Sequence, residues 1–308
     1  MQGLRREYPL LIMAAFIWGS GHPVIKLILE ELHPIQVSMA SAALSFLILA
    51  STLSLSRAQG GFRWDRMPWM ATAGAVIFFI YPILSFSALQ RIPASVNGIL
   101  VSTSTIFVAI IAASILGETL SAINYLGIAA SFLGVALIIG GTTGISPVPI
   151  RGSAAPGLIL SLSGALASAI YTIIGRKLRD EDPLMVTLVA AGFGAALQLV
   201  ATSIFTGFHA FQTASLKTWL LLLYWGVSSG LAYFIYYYSL KRMEAARASS
   251  FIYLSPVAAA VTSALILGEK LTTPFLAGMS LVLLGVRLAQ RKGRTRKDSI
   301  DGTRKINI

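Results

Sequence analysis

The sequence predicts an all-α, polytopic membrane protein: ten transmembrane helices arranged as two inverted five-helix repeats. Composition, the spacing of the apolar runs, and a match of the chain with itself predict it. Of 308 residues, 56% are hydrophobic and 12% charged, whereas a soluble domain is about a quarter charged. Too little polar surface remains to cover a water-soluble globule, which makes the bilayer the expected solvent. Cysteine is absent, which removes disulfides, thiolate nucleophiles and Cys-ligated zinc from consideration.

A helix needs about 20 mainly apolar residues to cross about 30 Å of hydrocarbon. Ten windows qualify: Tyr8–Leu29, Ile35–Ser56, Met67–Gln90, Pro93–Leu116 and Leu120–Gly140, then Ala155–Gly175, Leu184–Phe205, Thr218–Leu240, Ala245–Leu267 and Leu271–Gln290. Pro9, Pro68, Pro93, Pro156 and Pro183 fall at or near window starts, where a missing N–H does least harm. Arg5 and Arg6 precede a run too long for a cleavable signal and without a small-residue cleavage site, so the first window is expected to remain as a helix.

The net charge of +12 raises the question of a nucleic-acid partner, and its distribution answers it. With the N-terminus inside, inner segments hold 19 Lys and Arg and outer segments hold 5. This is a topology signal, placing both termini in the cytoplasm of a bacterial inner-membrane protein. The basic tail, residues 291–308, has no folded basic face beside it; anionic headgroups of membrane lipid are its expected partner, and nucleic acid is not.

At an offset of 151 residues, Leu89–Val135 and Leu240–Val286 share 15 identities in 47 positions, including Gly117-Glu118 with Gly268-Glu269. The chain therefore divides into a first repeat, 8–140, a linker, 141–154, and a second repeat, 155–290. Five helices per repeat is an odd number, so the second copy sits upside down relative to the first. Inverted repeats recur in transporters, with the substrate near the midplane and access alternating between sides.

Trp18-Gly19-Ser20-Gly21-His22-Pro23-Val24-Ile25-Lys26 resembles the first-helix signature of the drug/metabolite transporter superfamily, in its EamA-type branch. The Gly-Glu pairs after the fourth and ninth windows, and an Arg-x-x-Ala before each, resemble the same pattern. The resemblance implies a ten-helix basket whose cavity is lined mainly by the first, third, fourth, sixth, eighth and ninth helices. The fifth and tenth would be peripheral, often at a homodimer contact. One stretch departs from the pattern: Met39-Ala40-Ser41-Ala42-Ala43-Leu44 lacks the Arg that family members often carry in the second helix.

No acidic residue lies at mid-span, where a carrier driven by protons through a buried carboxylate would have one. His22 is the ionisable side chain nearest the centre of a span. It reads either as a proton-linked group or as a neutral interhelical hydrogen-bonding residue, and Gly19, Gly21 and Pro23 around it suggest carbonyls freed toward a cavity. Asn97 shares a face with Ser104 and Thr105 at helical spacing and, as a buried amide, should face the bundle interior. The Ser and Thr of this stretch read equally as interhelical hydrogen-bonding residues. In the repeat-related helix, Tyr253 stands with Ser249 and Pro256.

Trp18, Tyr81, Tyr171 and Tyr233 lie too deep for an interfacial belt and read as cavity walls. Lys26 has the length to snorkel or to guard the outer mouth, while Glu118 and Glu269 read as turn and capping residues. An apolar pocket with a few polar groups and no mid-membrane Arg or Lys suits a neutral, zwitterionic or aromatic small-molecule substrate. The expected function is a secondary carrier of amino acids or related metabolites, by export or exchange. An importer of a vitamin-like or nucleoside-like compound is the alternative, and an intramembrane enzyme or a non-transporting sensor a remoter one. No cofactor or metal is expected, because the three histidines lie in separate segments and no Asp-rich motif exists.

Overall fold

The computed structural model describes residues 7–55, 63–116, 121–140, 153–178, 180–242, 251 and 254–289. Tyr253, Glu118, most of the linker and the basic tail lie outside the described residues. Among the described residues there is no strand, and apolar helices occupy the place of every predicted window. Six are long and apolar enough to cross a membrane, and four shorter apolar helices complete the set.

The first half comprises Glu7–Ile28, Pro34–Leu55, Trp64–Leu89, the pair Ala94–Ser102 and Ser104–Leu116, and Ala122–Gly140. The second comprises Ala155–Lys177, Pro183–Phe205, Leu216–Arg242, Leu254–Leu267 and Thr273–Ala289. A short helix, His209–Thr213, which the windows did not contain, precedes the eighth span.

The packing pairs have a two-fold pattern. The first span lies against the eighth and ninth, and the sixth lies against the third and fourth. The second meets the eighth as the seventh meets the third. Exchanging the halves turns each contact into the other, while the second–seventh, fourth–ninth and fifth–tenth pairs map onto themselves. With five crossings per half, that exchange relates segments running in opposite directions.

Small residues let the helix axes approach, as membrane interfaces require. A Cβ on Gly134 would sit 2.6 Å from the Gly278 carbonyl oxygen, and one on Gly278 would sit 2.6 Å from that of Gly134. Gly285 meets the Gly127 carbonyl in the same way. Gly19 lies against the Ser255 carbonyl and Ala258, and Gly21 lies against the Trp225 ring. The glycines flanking His22 thus serve close packing, and the helix runs unbroken through Pro23. The fifth span turns large apolar side chains outward, with Leu133 64% exposed. Such a surface is stable only against lipid or another apolar face.

Two spans depart from regular helix for readable reasons. In the third, residues Ala75–Ile80 form a π-helical segment just before Tyr81-Pro82. Proline has no N–H and its ring crowds the carbonyl four residues back, here that of Phe78. The Gln198 amide of the seventh span donates to the carbonyls of Phe78 (3.3 Å) and Phe79 (3.2 Å), so acceptors left by the irregularity are satisfied. The fourth span breaks at Thr103, where consecutive hydroxyls bond their own backbone. Ser102 donates to Ile99 (2.7 Å), Thr103 to Leu100 (2.6 Å) and Thr105 to Ser102 (3.0 Å). Local hydroxyl bonds compete with the helical ladder. These side chains therefore bend their own helix; the interhelical bonding expected of them is not what they make.

Candidate functional site

Asn97 sits on the fourth span, one turn from its start, and is fully buried. Its amide nitrogen lies 3.0 Å from His22 Nδ1 on the first span and donates to Ser85 Oγ (3.0 Å) on the third. Its amide oxygen accepts from Ser161 Oγ (2.7 Å) on the sixth span. One side chain thus joins four spans drawn from both halves. An amide has two donors and one carbonyl acceptor, and all its groups find partners where water is excluded. With the amide N–H facing Nδ1, that nitrogen is the acceptor, which corresponds to the tautomer with its proton on Nε2; the turned amide would pair with the other tautomer. The ring's other neighbour is Gly98, where a Cβ would lie 3.2 Å from the ring.

One helical turn along the first and third spans from this polar knot stands a wall of rings. Trp18 precedes His22 by four residues and Tyr81 precedes Ser85 by four, the spacing that stacks side chains on one face. Tyr233 of the eighth span is the hub: its ring centroid is 5.4 Å from Trp18, 5.2 Å from Phe78 and 6.0 Å from Tyr171. Tyr171 also meets Tyr237 at 5.8 Å. The indole N–H of Trp18 is buried and has no hydrogen-bond partner among the described residues. The sixth span passes Tyr81 at Gly164, where a Cβ would meet that ring in ordinary contact at 3.7 Å.

The structure therefore brings together Trp18, His22, Tyr81, Asn97, Tyr171 and Tyr233. It does not join Ser104 to them: Ser104 lies beyond the break at Thr103, and none of these contacts reaches it. Tyr253 lies outside the described residues. Three groups that sequence reasoning passed over belong with the set. Ser85 and Ser161 complete the amide network. The third is a narrow cleft, partly open, with a cavity volume of about 30 Å³. Ser38, Ser41 and Ser45 line it from the second span, Tyr81 and Phe86 from the third, and Trp225, Ser229 and Tyr233 from the eighth. The resemblance left the second span out of the lining. The serine spacing of three and four on that span was the available signal: Ser41 stands within the stretch without Arg, and Ser38 and Ser45 flank it.

At the end of the bundle where the first span finishes, Glu269 reaches across from the loop after the ninth span to the start of the fourth. It accepts from the backbone N–H of Ala94 (2.8 Å) and Ser95 (3.0 Å), and from Ser95 Oγ (2.5 Å). Its carboxylate lies 3.8 Å from Lys26 Nζ, which also donates to the Ile92 carbonyl (2.9 Å). Glu269 is a cap, as the sequence suggested, but of another span's N-terminus, where orphan N–H groups and the helix dipole favour an anion. Lys26 is held inward; it does not snorkel. Val24, Ile28, Phe86, Leu89 and Leu267 pack beneath this pair.

Apolar spans exposed around their outside, two antiparallel halves, and a buried site of rings, hydroxyls and one amide define an all-helical, multi-pass membrane protein. The model of the EamA-like transporter family matches residues 5–140 and again 155–290; the chain belongs to this family of the drug/metabolite transporter superfamily. It is 26% identical over 304 residues to an "Uncharacterized transporter" of Archaeoglobus fulgidus, covering 93% of this chain and 99% of that one. It is also 26% identical over 302 residues to a protein of Streptantibioticus cattleyicolor named "Probable terminal-alkyne amino-acid exporter", covering 96% and 97%. A solved crystal structure with 19% identity superposes with a TM-score of 0.63, covering 91% of this chain and 95% of that one; the likeness is one of fold.

Proposed function

We propose that this transporter is a secondary carrier of a small neutral, zwitterionic or aromatic metabolite of the amino-acid kind. It would work by export or exchange, with both termini in the cytoplasm of a bacterial inner membrane. The observation that carries the reading is the convergence of four spans from both halves on Asn97 beside the Tyr233 ring cluster. A site shared between halves is released and rebuilt when one half rocks against the other, which is how inverted repeats alternate access. The name of the Streptantibioticus relative supports an amino-acid-like substrate and the outward direction. The uncharged lining supports a substrate without phosphate, since no guanidinium or ammonium stands at that depth to pair with one.

His22 enters as a neutral hydrogen-bonding residue. Protonating Nδ1 would require the Asn97 amide to turn, with the Ser85 and Ser161 hydroxyls exchanging donor and acceptor roles. Exchange with the ring neutral throughout is the mode proposed, and the pH gradient separates it from proton coupling through the ring.

The test is purified protein in lipid vesicles, screened for uptake and counterflow of labelled amino acids, vitamins and nucleosides with and without a pH gradient. The expected result is exchange of an amino compound that persists without the gradient, with a pH profile unchanged by His22→Gln. A profile that His22→Gln flattens would restore the proton-linked role, and exchange of vitamins or nucleosides alone would overturn the substrate class.

A further inference from the structure

Within the carrier reading, on which this inference rests, the serine-lined cleft specifies one end of the substrate. We propose that it receives the amino end, as a protonated primary amine, and does not receive a carboxylate. The cleft's serine protons are already committed. Ser38 Oγ donates to the Pro34 carbonyl (2.7 Å), Ser41 to Val37 (2.6 Å) and Ser45 to Gly226 (2.8 Å). Ser229 Oγ, 3.2 Å from Ser45 Oγ, points to the same Gly226 oxygen at 3.4 Å. A hydroxyl has one proton and two lone pairs, so what these side chains still offer is acceptors. An ammonium has three donors and no acceptor, and it complements such a lining. A carboxylate has only acceptors and would meet lone pairs with lone pairs.

The rings point the same way. Tyr81, Trp225 and Tyr233 line the cleft with Phe78 and Phe86, and aromatic faces attract organic cations, the more so when water is excluded. No ionised side chain lines it among the described residues, so none of these can clamp a carboxylate in the bidentate manner such groups are usually held. The phenols of Tyr81 and Tyr233 are no substitute for such a clamp, since neither carries a charge. The second span's lack of Arg thus has a counterpart in structure: the stretch provides acceptors where a cation would have provided donors.

The test compares phenylalanine, phenethylamine and phenylpropionate, which share a ring and differ in which polar end is kept. Binding to the purified full chain in detergent is followed by intrinsic fluorescence at neutral pH, and exchange is followed in vesicles. Phenethylamine is expected to bind at least about tenfold more tightly than phenylpropionate. The double substitution Ser38→Ala/Ser41→Ala should weaken it about tenfold, and the milder Ser41→Ala should shift it in the same direction, both variants eluting as the parent does on size exclusion.

If phenylpropionate binds as tightly as phenethylamine, if the serine variants bind the amine unchanged, or if none of the three binds, the inference is overturned. If phenethylamine binds with the expected serine dependence but vesicles exchange no amino compound, the inference stands and the carrier reading falls.

Discussion

At one end of the bundle, Glu31 in the loop after the first span accepts from the backbone N–H and hydroxyl of Ser215, both at 2.7 Å. At the opposite end, the equivalent loop after the sixth span carries Glu181, which lies 3.5 Å from Arg63 and 3.6 Å from Arg66. The two-fold exchange maps one pair of loops onto the other. The same architecture therefore ties its loops with neutral donors on one side and guanidinium groups on the other. The cause lies in the sequence: Arg63 and Arg66 stand in the segment facing Glu181, so that acid finds guanidinium groups, whereas Glu31 is answered by the start of another span. The repeat dictates where acids are needed; the facing segment dictates what answers them.

Burial sharpens the difference. Glu269 is 3% exposed and serves the start of the fourth span from within the packed end. Glu181 has partly exposed arginine partners, which water and salt screen. Glu269→Ala should be the most damaging change at either end, since it strips two backbone donors and leaves Lys26 buried without its counter-charge. A loss of roughly 3 kcal/mol is expected, read as a lowered thermal midpoint in detergent; an unchanged midpoint would mean that the cap contributes nothing. Glu181→Gln should cost less than about 1 kcal/mol, and its effect should fade as salt is raised. A cost equal to that of Glu269→Ala would erase the distinction between the ends.

The smallest expected effect is that of pH on Glu31. The hydrogen bonds from Ser215 hold its carboxyl below the usual carboxylate range. A carboxyl depressed in the folded state stabilises above its ordinary pKa and loses that contribution as pH falls through the folded value. Below about pH 4 the parent should therefore lose slightly more stability than Glu31→Gln does, measured as the difference between their midpoints at pH 7 and in acid. Identical acid responses would show that this tie contributes nothing at either pH.

Much of the fold was legible because membrane spans obey one strong rule, backbone satisfaction inside an apolar run, and because the repeat copied Gly127, Gly134, Gly278 and Gly285 into register. The rings and the His22–Asn97 pair were legible because depth alone makes polar and aromatic side chains conspicuous. What sequence reasoning missed depends on rotation and crossing. Ser85 and Ser161 look like any small hydroxyl until the fourth span is placed against the third and sixth. The irregularity before Pro82 needed Gln198, 116 residues further on, to be stable. Glu269 could be recognised as a cap, but its partner could not, since the helix it caps is far away in sequence.

The central claim is that a substrate enters between the halves at the Tyr81–Tyr233 wall. The chain contains no cysteine, so a single introduced thiol reports without background. Tyr81→Cys and Tyr233→Cys should each react with a small membrane-impermeant thiol reagent and be protected by the transported compound. Tyr125→Cys, on the outward face of the fifth span and 61% exposed there, should show no such protection. Equal behaviour at all three positions, whether inert or unprotected, would contradict a binding site at that wall.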